Sequence, residues 1–401
     1  MELNAGETWK ESVPEACPAG LKSVSALHDP HEWYARKRRA GPVQYDPDRD
    51  VFDVFSYRHV KAALQDSDRL VRKELTRGHT DTGAFDYIDN AMVWSDGTKH
   101  KESKSQLFSY FRPDLLRGLT ESIEEIARRQ VDEVLADGSD FDFVSEFAVP
   151  VPLRVVMELV GIPKGDHDRM LTWLETFREV MNTEYSAVGS TDGDRMAEAV
   201  TYFEELVETR RADPQSDLIS RLVTETELTG AEIGANCFDF ILAGQGTMSE
   251  FLANALYLFE TEDMLERIDD YDLDVVLEEV LRYRTPLQSR ARETTERVAM
   301  GETTIPPGET VILWLGAANR DPQQFEASDT FRPRRDPDHL AFGSGPHTCI
   351  GAPLARLEAP LVLETFLDAF EHVSVETDAM RPKPKPSKLG FDRLPVSTTP
   401  A

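Results

Sequence analysis

With 401 residues, 40% of them hydrophobic, the chain can bury the core of one large domain or two. Seventy-three acidic against 44 basic side chains leave a net charge of −29, dispersed from end to end, which would repel nucleic acid. Aromatic and periodic apolar positions throughout exclude a disordered chain, and no apolar run approaches the ~18 residues of a membrane span.

The charge has an expected cause in adaptation to a salt-rich cytosol, where a Debye length of about 3 Å at 1 M screens self-repulsion. Only 12 of the 44 basic residues are lysine. An ordinary acidic protein with a basic partner is the plainer alternative. The three cysteines, Cys17, Cys237 and Cys349, are odd in number and far apart, which argues against a disulfide framework and for a reducing compartment. The start, MELNAGETWK, lacks the charged-then-apolar pattern of an export signal, so a soluble, cytoplasmic monomer is expected.

In chain order, residues 1–30 read as an irregular N-terminal segment and residues 31–401 as a single domain. From 31 to about 95, short apolar stretches such as VFDVFS mix with helical ones. From 115 to 260 apolar residues recur at three- and four-residue intervals, the mark of helices. One of these, residues 228–259, opens with Thr229 and Glu232 in a capping-box pattern and spans about 45 Å. It is apolar nearly all round, so it is expected to cross the interior. Two glycines in its centre, Gly244 and Gly246, weaken it by about 1 kcal/mol each relative to alanine. Either something flat presses against them or another helix packs closely there. Residues 290–315 alternate and carry Pro-Pro-Gly, which reads as strands and a turn. A helix follows Gly351, and RPKPKPSK near the end reads as an exposed connector. The fold class is mainly α with a minor β region.

The stretch FGSGPHTCIG, residues 342–351, places a thiol in a loop of glycines. As residue chemistry alone, Cys349 is open to four roles: zinc ligand, nucleophile, haem ligand or inert core thiol. His347 alone is poor support for zinc, which needs three further ligands. Gly345 and Gly351 permit a tight loop. Its amides, and the N-terminus of the helix that follows, would favour an anionic sulfur.

FGSGPHTCIGAPLAR resembles the haem-binding signature of the cytochrome P450 family, F-x-x-G-x-x-x-C-x-G, with Phe342, Gly345, Cys349 and Gly351 on its fixed positions. The resemblance implies a cytochrome P450 fold, with a helix-rich domain and small antiparallel sheets. It also implies that Cys349 is the metal ligand of heme b (iron protoporphyrin IX). Further segments agree. Glu279 and Arg282 are similar to the family's E-x-x-R pair, with Arg335 completing its triad. His100 stands on the histidine of H-x-x-x-R and Lys104 replaces the arginine, which keeps the charge and loses the bidentate fork. Arg292, with Arg290 as a close rival, matches the arginine that meets a haem propionate. His347 matches the residue two before the cysteine that also reaches one. Gly343 belongs to the same loop, and Ala243 and Gly244 to the helix that lies over the cofactor.

AGQGTM resembles the family's oxygen-activating segment, which implies that the Thr247 hydroxyl steers protons to dioxygen. The plainer role for Thr247 is a bond back to the carbonyl four residues earlier. Gly246 departs from the pattern, which has Asp or Glu there, so Gln245, Glu250 or a water chain is expected to substitute. The implied reaction is a monooxygenation of a small apolar substrate, with electrons from NAD(P)H through a ferredoxin drawn to the basic run KHKESK. A peroxide-driven peroxygenase and a haem-based sensor are the alternatives. The pocket is expected to draw on residues 75–95, 240–247 and 286–290, Phe240 and Leu287 among them.

Overall fold

The structure, a computed structural model, describes residues 17–72, 87–182 and 190–400. From Thr120 onward the helices are Thr120–Asp137, Pro150–Val160, His167–Asn182, Ser190–Ala212, Leu218–Glu225 and Gly230–Thr261. The helical stretch read from the sequence is therefore a set of packed helices. The last is the axle. The capping box forms in both directions: the Thr229 hydroxyl accepts from the Glu232 amide, and the Glu232 carboxylate accepts from the Thr229 amide. The 32 residues that follow extend about 48 Å.

The helix is buried on nearly every side because two apolar clusters meet along it. Its first half, with Ile233, Cys237, Phe238 and Ile241, packs with Met170, Trp173 and Phe203. Its second half, with Phe251, Leu252, Leu256 and Phe259, packs with Phe143, Phe147 and Phe366. The helix continues unbroken through Ala243–Thr247. At Gly244 an added Cβ would lie 3.5 Å from a Val156 methyl, an ordinary contact distance, so the packing of the two helices there does not by itself require glycine.

The main sheet has five strands in the order Val43–Asp46, Val51–Val54, Thr310–Trp314, Ser289–Thr294 and Leu70–Arg72. Val51–Val54 and Thr310–Trp314 run parallel, the other pairs antiparallel. Register decides what the sheet presents: Arg72 stands opposite Arg292, and Arg290 and Arg292, two apart, face the same side. A three-stranded sheet of Asp140–Asp142, Pro395–Pro400 and Phe370–Val375 closes the C-terminal end. Residues 17–30, grouped in the sequence with an irregular segment, contain the helix Val24–His28. They bury Cys17, Leu21 and Leu27 against Trp33, Tyr34, Phe55 and Trp314. Among the described residues, no helix is long and apolar enough to cross a membrane.

Candidate active site

Three elements position Cys349. Its own amide bonds to the Phe342 carbonyl at 2.9 Å, closing the loop. The loop presses on the end of the helix Tyr57–Gln65 at Gly345, where φ is +76° and a Cβ would fall 2.7 Å from the Leu64 carbonyl oxygen; only glycine fits both conditions. The helix Ala352–Asp368 starts directly after Gly351. Cys17 and Cys237 are buried in the core, whereas the Cys349 side chain is accessible, at the floor of a recess walled by protein. Burial pushes its thiol above the ordinary range. The amides of Gly351 and Ala352 and the charges of Arg290 and Lys104 oppose that. The protein thus prepares the anionic sulfur expected from the loop without holding it ionised on its own. A coordinated metal would supply what is missing, since a metal-bound thiol is deprotonated outright.

The basic residues expected at a propionate divide into two groups. Lys104 donates to the carbonyls of Thr348, at 2.8 Å, and Pro346. His100 sits between the carbonyls of Met92 and Pro346, 3.1 Å from each. These two clasp the cysteine loop. The His347 ring lies 4.0 Å from that of His100 and bonds to Asp96 at 2.7 Å. Burial works against the Asp96 carboxylate, yet the bonds from His347 and the Arg72 amide hold it below its usual range.

Arg290 and Arg292 are different. Arg292 is buried and bonds to the Ala291 carbonyl, while Arg290 reaches the accessible space of the recess. Among the described residues, neither has a carboxylate within ion-pair distance. Burial, then repulsion from Arg72 and from each other, lowers the pKa of Arg290 to about 10; burial and Arg72 do the same for Arg292. Guanidinium groups enclosed by protein without an ion-pair partner are costly, and a porphyrin's two carboxylates at this end would offset that cost. Together with the accessible thiol, this fits a haem.

On the opposite wall, Ala243 is exposed and Gly246 and Thr247 are half-buried. The Thr247 hydroxyl donates to the Ala243 carbonyl at 2.9 Å, the helix-internal bond named above as its plainer role. Gln245 is buried, about 200° round the helix from Ala243, so it does not share that face. Phe240, expected in the pocket, is buried against Phe111 at 5.1 Å. Of the loop expected over the pocket, residues 75–86 lie outside the described residues.

The triad beneath the site is formed. Arg282 donates Nε and Nη2 to the two oxygens of Glu279, both at 2.7 Å; Arg335 Nε adds a bond at 3.1 Å and the Arg332 amide one at 3.0 Å. Arg282 also binds the carbonyls of Asn319, Ser328 and Thr330, which ties the helix Leu273–Tyr283 to the segment before the cysteine loop.

Reading the sequence missed Arg72, Asp96, Asp239 and Lys388. Asp239 had a signal: a lone acid between two phenylalanines in an apolar helix. Burial pushes its carboxyl up to about 6 against the pull of Arg72 and Arg290. Arg72 had no signal, since only the sheet register brings it here.

An accessible thiol, two arginines with no carboxylate at ion-pair distance among the described residues and an exposed Ala243 on the central helix together make a candidate haem site. The comparisons give the family. A cytochrome P450 family model matches residues 271–399. The chain is 31% identical over 379 residues to cytochrome P450 119 of Sulfolobus acidocaldarius, covering 91% of this chain and 98% of that protein. It is 30% identical over 386 residues to the biotin biosynthesis cytochrome P450 of Bacillus subtilis, covering 94% and 98%. Among solved structures it resembles P450BioI in complex with a hexadecenoic-acid-ligated acyl carrier protein, with a TM-score of 0.85, 28% identity, and coverage of 93% of this chain and 99% of that one. It also resembles CYP109E1 from Bacillus megaterium in complex with testosterone, with a TM-score of 0.82, 27% identity, and coverage of 94% and 99%. The chain belongs to the cytochrome P450 family, and it is a monooxygenase of the oxidoreductase class.

Proposed function

We propose that this monooxygenase inserts one atom of dioxygen into a small, largely apolar organic molecule, with electrons delivered from NAD(P)H through a ferredoxin. The cofactor is heme b, which supplies dioxygen binding and O–O cleavage when bound. Cys349 would hold its iron, and Arg290 and Arg292, backed by Arg72, its propionates. His100 and Lys104 keep the cysteine loop in place. Above the cofactor, Ala243 offers a wall without bulk. The Thr247 hydroxyl, with its hydrogen committed to the Ala243 carbonyl, keeps its lone pairs free to accept a proton or a water's hydrogen bond.

The fatty acyl and steroid ligands of the similar structures support an apolar substrate class. Lys99 and Lys101 are exposed beside the cysteine loop. A shallow hollow of about 450 Å³ lined by His100, Lys101, Lys104, Ser105, Phe108 and Pro346 opens between them and the loop. Phe108 is 51% exposed, so a donor docking here would gain apolar contact as well as charge attraction. That matters in concentrated salt, where attraction between exposed charges is screened.

The accessible thiol of Cys349 carries this reading. Its test is the absorption spectrum of the reduced, carbon-monoxide-bound protein. The red-shifted Soret band of a thiolate-ligated haem is expected, and Cys349→Ser loses it. A colourless protein after growth with iron and porphyrin precursor, or an unchanged spectrum in the serine variant, refutes it. Gly246 favours a second reading, a peroxygenase. Product formation with hydrogen peroxide alone, as fast as with NAD(P)H and a ferredoxin, would select it.

A further inference from the structure

Two features of the sequence remain unexplained: the glycine where the family pattern has an acid, and the lysine run RPKPKPSK. The structure joins them. Residues 381–393 are no exposed connector but form a hairpin, Arg381–Pro382 paired with Phe391–Arg393. The chain between those strands folds inward. Its backbone is pinned to the wall of the pocket: the Gln288 amide donates to the Ser387 carbonyl at 2.9 Å, the Leu389 amide to the Pro286 carbonyl at 2.8 Å, and Asn254 Nδ2 to the Leu389 carbonyl at 2.9 Å. Gly390 permits the approach, since a Cβ there would fall 2.8 Å from Glu250 Cγ.

This anchoring aims Lys388 at the central helix. Its ammonium bonds to both oxygens of Glu250, at 3.3 and 3.2 Å, and Lys383 adds a third bond at 3.1 Å. Glu250 is 3% exposed and lies one turn beyond Gly246 on the same helix. Among the described residues, and apart from its own helix backbone and chain neighbours, the one atom within 4 Å of a Cβ built on Gly246 is Lys388 Nζ, at 3.8 Å. The charge that an acid at 246 would bring is therefore present one turn away, and an ammonium occupies the place the acid would have reached.

We propose that Lys388, held by Glu250, does the work of the missing carboxylate and passes protons to the Gly246–Thr247 turn. The proposal rests on the monooxygenase reading. One N–H bond of the ammonium breaks, and the proton goes to a water bonded to the Thr247 hydroxyl oxygen as that water gives one of its own protons onward into the site, so that no protonated water or alcohol is left behind. The neutral amine then takes a proton from solvent, which its 29% exposed side chain reaches. No electrons move in this step. The charged groups around Lys388 are Glu250 from the helix and Lys383 and Lys385 from the hairpin, with Asp392 beside those two lysines; residues 285–288, which pair with it, carry no charge.

The test compares Lys388→Met and Lys388→Arg in the haem-loaded enzyme, with a ferredoxin and its reductase as donor. Arginine keeps the charge but does not give up its proton in a protein. Both variants are expected to raise the fraction of consumed oxygen released as hydrogen peroxide three-fold or more. Adding Gly246→Asp to Lys388→Met is expected to bring it back. The urea midpoint of Lys388→Arg is expected to stay with the wild type. A Lys388→Arg variant as well coupled as wild type reduces Lys388 to a fixed charge and overturns the proposal, as does an unchanged Lys388→Met. A readout without turnover is the crystal structure of Gly246→Asp. Lys388 Nζ is expected within about 4 Å of the new carboxylate, the reach of an ion pair, and an ammonium pointing elsewhere overturns the placement. Oxygen consumption and the carbon-monoxide spectrum of the wild type check the monooxygenase reading separately.

Discussion

Glu358 offers a prediction that depends on no cofactor chemistry. It lies on the helix after the cysteine loop, 2% exposed, with no hydrogen-bond partner for Oε1. Burial alone pushes its carboxyl from the ordinary 4.5 up to about 8. Between those values the unfolded chain has released the proton and the native one still holds it. The native state binds more protons, so stability falls as pH rises. The contribution is complete below pH 4.5 and lost by about pH 8. Each unit is worth about 1.4 kcal/mol, so the 2.5 units from 4.5 to 7 come to about 3 kcal/mol. Glu358→Gln has nearly the same shape and does not titrate. Any cost of burying its amide is the same at every pH; the slope is what carries the information. Urea midpoints of both proteins at fixed salt, from pH 5 to 8, should start close together and separate in favour of the variant. Midpoints that move in parallel refute the protonated native carboxyl.

Glu279→Ala leaves Arg282 buried at 0% exposure without its carboxylate and should cost about 3–5 kcal/mol, read as a lower urea midpoint; a loss below about 1 kcal/mol would mean the arginine's carbonyl partners suffice. Gly345→Ala forces a side chain into φ +76° against the Leu64 carbonyl and should cost upward of about 2 kcal/mol and weaken haem retention, measured by transfer of haem to an acceptor protein. Replacing Lys99 and Lys101 with glutamate should slow reduction by a ferredoxin at low salt and leave substrate affinity unchanged, and the difference should fade as salt rises; equal rates at low salt refute docking at this face.

The sequence disclosed most where the chemistry is local. Cys349, its glycines and the helix that follows occupy one short stretch, so a pattern of residue types sufficed. Thr229 and Glu232 are three apart and meet because helix geometry requires it. Glu279 and Arg282 are likewise three apart, but only the fold shows that they are buried and that Arg335 arrives from 53 residues beyond Arg282. Where partners are distant, residue type told only part. Lys104 looked like an anion ligand because ammonium suits one; carbonyls of a loop more than 240 residues away take two of its three donors. Phe240 looked like pocket lining because its helix passes the site, but helix phase turns it into the core.

The lysine run shows the same limit from the other side. Prolines at 382, 384 and 386 read as a stiff exposed segment because they prevent helix. They do not prevent two cross-chain backbone bonds and a tertiary ion pair from folding that segment onto the helix. The departure at Gly246 was legible as a loss, since one residue differs from a pattern. Its compensation was not, because Lys388 lies 142 residues away and only three-dimensional packing puts its ammonium beside that glycine. A missing side chain in a motif is therefore best judged by what the fold brings to the empty place: here a cation already paired to a carboxylate one turn along.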